Sequence, residues 1–160
     1  KECPWATTGR FGGRKPNIIT SLELRSEEME IINLRIQEKY KKIEESEVRF
    51  EEYMLDDAEY AIVAFGSAAR IAKKSIEIAR SQGIKVGLLR PITLWPFPTK
   101  EVQKLGEKMK GILSLEINAG QMVEDIRLAV AGRVPVQHFG RLGGIIPDPD
   151  EVVDAIKRLF

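Results

Sequence analysis

Ala61-Ile62-Val63-Ala64-Phe65-Gly66-Ser67-Ala68-Ala69-Arg70 is the stretch on which the fold turns. Residues 61–65 are apolar without alternation, as in a strand covered on both faces. Gly66 allows a sharp turn and Ser67 is placed to cap a helix. The helix runs to about Gln82, and Gly83 is the expected residue just past its end. The same rhythm then repeats. Strands are predicted over 85–90, 111–116 and 134–139, and helices over 99–109, 120–131 and 150–159. Short apolar strands separated by helices predict an α/β fold: three αβα layers, doubly wound around a mainly parallel sheet. Val48, Phe50 and Glu52 alternate with Arg49, Glu51 and Tyr53, the pattern of a half-exposed edge strand whose charges discourage stray pairing.

Upstream the pattern differs. In residues 1–22, Gly9, Gly12, Gly13 and Pro16 interrupt any regular element, with a short extended piece possible over 18–22. Ser26 with Glu27 and Glu28 reads as a helix start, and Met29, Ile32, Ile36, Tyr40 and Ile43 form one apolar stripe. Ile31 and Leu34 lie off that stripe, so the helix could lie on the body of the protein or on another subunit. Residues 1–46 are therefore expected to be a connector and amphipathic arm, and 47–160 the α/β domain. The chain opens on a lysine, which reads as the continuation of a longer polypeptide.

Charge and composition narrow the function classes. Residues 23–60 carry six basic and thirteen acidic side chains, whereas 61–160 carry fifteen basic and ten acidic. The later basic residues are scattered and lack interleaved aromatics, which argues against a nucleic-acid footprint. One cysteine, Cys3, allows no intrachain disulfide or thiolate cage and suits a reducing cytoplasm. No apolar run approaches the roughly 20 residues of a membrane span.

In a doubly wound sheet, ligands meet the carboxyl ends of strands where the winding reverses. That places a candidate crevice between Gly66, Ser67 and Arg70 on one side and Glu116, Asn118, Gly120 and Gln121 on the other. An anion seated at a helix N-terminus is one use for it; a tight turn with a capped helix is the plainer one. Phe65–Arg70 offers one glycine where a dinucleotide fingerprint needs three, and no phosphate-binding loop with a lysine follows any strand. His138 has no nucleophile elbow beside it. Glu116 ends a buried strand, so its carboxylate must be hydrogen-bonded, paired or at a water-accessible rim. No metal-ligand cluster and no catalytic residue is identified. Arg90-Pro91-Ile92-Thr93-Leu94-Trp95-Pro96-Phe97-Pro98 is a stiff loop carrying two aromatics, suited to inter-domain or inter-subunit packing. Trp5, Arg90, Trp95 and Phe97 are the candidate interface residues.

A family resemblance rests on the order and spacing of many pieces. They are Trp5-Ala6-Thr7, Gly13-Arg14-Lys15, Glu38-Lys39-Tyr40, Tyr53-Met54-Leu55-Asp56-Asp57-Ala58-Glu59, Ala64-Phe65-Gly66-Ser67, Gly83-Ile84-Lys85-Val86-Gly87, the proline-rich stretch 90–98, Glu116-Ile117-Asn118-Ala119-Gly120-Gln121-Met122, and Gly140-Arg141-Leu142-Gly143-Gly144. Together they resemble the alpha-type subunit of the 2-oxoacid:ferredoxin oxidoreductases, particularly the branched-chain (2-oxoisovalerate) branch.

The resemblance implies a transketolase C-terminal-like domain with a five-stranded mixed sheet and one antiparallel edge. It also implies an enzyme that oxidatively decarboxylates a 2-oxoacid to its acyl-coenzyme A and passes electrons to ferredoxin. That complex would use thiamine diphosphate, Mg2+, iron–sulfur clusters and coenzyme A. Its partners would be a thiamine-diphosphate-binding beta-type subunit, a gamma-type subunit and a ferredoxin-type cluster subunit. The metal–diphosphate pattern belongs to another subunit, and the glutamate that activates thiamine to a preceding domain. This chain is then expected to supply architecture and to be inactive alone. Pyruvate or 2-oxoglutarate are the alternative substrates, and a free-standing anion or coenzyme A binding module is the alternative function.

Overall fold

The computed structural model describes residues 3, 6, 9, 11–13, 15–18 and 20–159. The chain divides into two compact units, Lys1–Tyr40 and Lys41–Phe160. Trp5 lies outside the described residues. The first unit holds a short 3-10 turn at Phe11–Gly13, with Gly12 at φ 69°, and residues 18–22 form no strand where they are described. Helix α1 spans Ser26–Ser46, begins where the serine and its two glutamates predict, and runs into the second unit.

The second unit contains β1 (Phe50–Tyr53), β2 (Tyr60–Ala64), α2 (Gly66–Ser81), β3 (Val86–Pro91) and α3 (Thr99–Lys108), followed by β4 (Gly111–Glu116), α4 (Met122–Val130), β5 (Val136–Gly140) and α5 (Pro149–Lys157). The five strands form one sheet in the order β1-β3-β2-β4-β5. β1 pairs antiparallel with β3 and every other neighbour is parallel. The fold is thus the mixed, mostly parallel α/β sheet expected, with β2 at its centre.

The unbroken apolar run of β2 follows from burial on both faces. Ile62 and Ala64 pack with Ala72 and Ile76 of α2 and Val152 and Ile156 of α5. Ala61 and Val63 pack with Val102 of α3 and Ile126 of α4 on the opposite side. Each fully buried Val or Ile among them contributes about 1.5–3 kcal/mol.

Helix ends show local chemistry at work. After α2, Gly83 at φ 84° donates to the Arg80 carbonyl and Ile84 to that of Ala79, a Schellman closure. Asp148 and Glu151 form a reciprocal capping box at α5. Two starts differ from the sequence reading. α2 begins at Gly66 with Phe65 in the cap position, so Ser67 lies inside the first turn and caps nothing. α4 begins at Met122, because Gly120 (φ 108°) and Gln121 (ψ −61°) still belong to a loop.

Candidate functional site: the carboxyl edge of the sheet

Winding reverses at β2 and β4. The chain leaves β2 through α2 towards β3, and leaves β4 through α4 towards β5 on the other side. The loops after these two adjacent strands therefore share the carboxyl edge. Phe65 from the first loop and Glu116, Gln121 and Met122 from the second line one cavity of about 150 Å³, completed by Leu94, Phe97 and Asp125. Small-molecule sites usually enclose about 300–1,000 Å³. This cleft is too small for thiamine diphosphate or coenzyme A.

Glu116 is fully buried, and its surroundings explain how. Oε2 accepts from the amides of Gln121 (3.1 Å) and Met122 (2.9 Å). Oε1 accepts from the Val123 amide (3.0 Å) and the Ser114 hydroxyl (2.9 Å). These amides are the orphan donors of the first turn of α4, which has no cap from Gln121 itself. Burial pushes the Glu116 carboxyl upward in pKa. The Met122 amide, the Ser114 hydroxyl and the Gln121 amide oppose it and prevail, holding it below its ordinary value. The anion seat of α4 is thus filled by the chain's own carboxylate.

Around that carboxylate sits a group that sequence reasoning missed. Ser114 and His138 are register partners on β4 and β5. His138 Nε2 lies 3.9 Å from Glu116 Oε1 and is buried without a hydrogen-bond partner among the described residues. A Cβ on Gly140 would stand 2.3 Å from the Asn118 carbonyl oxygen and 2.8 Å from His138 Cε1. Glycine is required there by close approach. The available signal was Ser114 inside an otherwise apolar strand; its partner needs the register.

The other candidates are placed as follows. Asn118 Oδ1 accepts from the Gly120 amide at 2.7 Å, closing the β4–α4 loop. Gly66 takes φ 56° at the start of α2, and Arg70 is exposed. Arg90 faces Glu51 across the antiparallel pair and donates to it at 2.9 Å. Glu51 also accepts from Lys73, and Lys73 and then Arg90 hold its carboxyl below the ordinary range. Phe97 is half-buried on the α3–α4 side of the core, whereas Trp95 is 55% exposed. Trp95 and Phe97 border a second, open groove of about 710 Å³ with Val48, Phe50, Lys41 and Glu44 among its walls. Among the described residues no three His, Cys, Asp or Glu side chains converge to hold a metal ion. The single cysteine, Cys3, cannot furnish the four thiolates of a cluster.

Comparison with known proteins adds the family. The model for the pyruvate:ferredoxin oxidoreductase core domain II matches residues 58–152. The ketoisovalerate oxidoreductase subunit VorB of Methanothermobacter thermautotrophicus is 44% identical over 158 residues, covering 99% of this chain and 44% of that protein. The 2-oxoglutarate synthase subunit KorA of Methanothermobacter marburgensis is 31% identical over 104 residues, 65% of this chain and 28% of that one. The chain spans less than half the length of the curated relatives it matches. In fold, it resembles the 2-oxoglutarate:ferredoxin oxidoreductase of Magnetococcus marinus (TM-score 0.71, 20% identity, 86% of this chain and 24% of that chain). A split-gene transketolase also shares the fold (TM-score 0.61, 15% identity, 69% of this chain and 41% of that chain).

Proposed function

The chain belongs to the pyruvate:ferredoxin oxidoreductase core domain II family, and from that premise we propose that it is the C-terminal part of the alpha-type subunit of a branched-chain 2-oxoacid:ferredoxin oxidoreductase. The observation that carries this reading is the similarity along 99% of the chain to a ketoisovalerate oxidoreductase subunit, higher in identity and coverage than the similarity to 2-oxoglutarate synthase subunits. The assembled cytoplasmic enzyme converts 2-oxoisovalerate to its acyl-coenzyme A and reduces ferredoxin.

Within that enzyme the chain supplies architecture. Its own residues fit neither thiamine diphosphate nor an iron–sulfur cluster: the α4 amides are taken by Glu116, and one cysteine stands alone. The complete enzyme uses thiamine diphosphate with Mg2+, iron–sulfur clusters and coenzyme A, and its other subunits are of beta-type, gamma-type and ferredoxin-type. Residues 1–46 are the connector and arm, and 47–160 the docked domain. The docking face is the carboxyl edge, where Trp95 stands 55% exposed and Ile92 54% exposed on a proline-stiffened loop.

The test is to purify the complete enzyme containing this subunit and compare turnover of 2-oxoisovalerate, pyruvate and 2-oxoglutarate with coenzyme A and ferredoxin. Preference for 2-oxoisovalerate is expected, and the chain alone should neither turn over any of the three nor bind coenzyme A in a calorimetric titration. Tight binding of coenzyme A by the chain alone would favour the free-standing module instead. Turnover by the chain alone would overturn the architectural role.

A further inference from the structure

The cleft at the carboxyl edge combines apolar walls with negative charge that nothing in its lining balances. Phe65 and Phe97, both half-buried, stand there with buried Met122 and exposed Leu94. Glu116, Gln121 and Asp125 supply the polar atoms, and no Lys, Arg or His lines the cleft. At about 150 Å³ it admits one side chain and no organic cofactor.

Its two carboxylates are in different states. Glu116 uses both oxygens fully, each accepting two hydrogen bonds. Asp125, in the first turn of α4, is exposed, and its carboxylate accepts no hydrogen bond and forms no ion pair with another described residue. It caps nothing either, because the first amides of α4 go to Glu116. Water therefore satisfies Asp125 in the free chain, and anything that covers the cleft displaces that water. An apolar occupant would leave the carboxylate desolvated and unpaired beside a second buried anion, a strongly unfavourable arrangement. A cationic side chain would pair with it and lay its aliphatic stem along the apolar walls. Aromatic walls also suit a cation better than an anion.

We propose that the cleft receives one lysine or arginine side chain of a partner subunit, its head paired with Asp125 and its stem against Phe65, Leu94 and Met122. The pairing rests on the carboxyl edge being the docking face, and gives that face a charge requirement.

Assembly of the complete enzyme, measured by sedimentation at graded subunit concentrations, tests the pairing with three variants. Asp125→Asn should weaken assembly about thirtyfold, because it strands the partner's buried cation. Glu124→Gln removes the same charge one residue away, where the carboxylate pairs with Arg127, and should leave assembly within about twofold of wild type. Neither substitution should move the chain's own denaturation midpoint, since both sites are exposed. Trp95→Ala reports on the docking face itself. Weakening by Trp95→Ala with none by Asp125→Asn would overturn the cation while leaving the docking face standing. Equal losses from Asp125→Asn and Glu124→Gln would reveal a general charge effect and overturn the specific pairing. No loss from Trp95→Ala would overturn the docking face, and the occupant of the cleft with it.

Discussion

The two edges of the sheet are built on opposite principles. At the amino edge the chain binds itself. Arg80 donates to the carbonyls of Met54 and Val86 and to the Asp57 carboxylate. Lys108 reaches the carbonyls of Leu55 and Asp56, and Lys110 pairs with Glu59. Gly87 lies so close beneath Met54 that a Cβ would stand 2.4 Å from its carbonyl oxygen. Among the described residues, Met54 is exposed at this edge, as is Leu128 near the end of α4 that returns to it.

At the carboxyl edge Glu116 satisfies the Ser114 hydroxyl and the first amides of α4, His138 Nε2 and Arg90 Nε are buried without a partner among the described residues, and much of the rim is apolar. Ile92, Leu94 and Trp95 after β3, Ile117 after β4, and Leu142, Ile145 and Ile146 after β5 are all exposed. An edge finished with internal hydrogen bonds and charge needs no partner. Aliphatic and aromatic surface of that kind supports the proposed docking face.

Disturbing the floor of the carboxyl edge should have the largest effect. Glu116→Gln replaces a buried anion holding three amides and a hydroxyl with a group that presents its own N–H donors, and should cost about 3 kcal/mol in chemical denaturation. The same carboxylate carries a pH dependence. Its folded pKa is depressed, so its stabilisation is complete above the ordinary value near 4.5 and is lost as pH falls through the lower folded value. Wild type should therefore lose stability below about pH 4.5 more steeply than Glu116→Gln. Parallel pH profiles would show that the four hydrogen bonds do not select the anion.

Gly140→Ala should follow at about 2 kcal/mol, since the added methyl meets the Asn118 carbonyl and the His138 ring. Trp95→Ala on the rim should leave the denaturation midpoint of the chain within about 1 kcal/mol of wild type while weakening assembly of the complete enzyme in sedimentation. Normal assembly with altered preference between straight and branched 2-oxoacids would instead make the loop part of a substrate pocket. Smallest of all, Asp57→Asn at the amino edge breaks an exposed ion pair with Arg80 and should leave both stability and assembly nearly unchanged.

Much of this contrast was legible in the sequence, and the illegible part has a common cause. The unalternating run at 61–65 revealed the central strand, because burial on both faces removes the need for polar residues at every second position. Winding alone places Phe65 and Glu116 on one edge, but of the crevice residues read from the sequence Glu116 and Gln121 line the cavity there, and Gly66, Ser67, Arg70, Asn118 and Gly120 do not. Glu116 could be singled out as a carboxylate needing partners, but not which ones. They come from amides five to seven residues later, at the last loop residue and the first turn of α4. The pairing of Ser114 with His138, the Gly140 contact and the Glu51–Arg90 pair all depend on strand register. That register joins strands distant in the sequence and is not read from either strand alone. Phe97 and Trp95 looked alike in sequence because both sit between prolines; packing separates them, one against the core and one in the open.

Hydrogen–deuterium exchange, comparing the free chain with the same chain inside the complete enzyme, tests the central claim most directly. Assembly should slow exchange in the loops over 92–95, 117–121 and 141–146, and leave 54–59, 83–85 and 109–110 unchanged. Protection confined to the amino-edge loops, or no new protection at the carboxyl edge, would contradict the reading of that edge as the docking face.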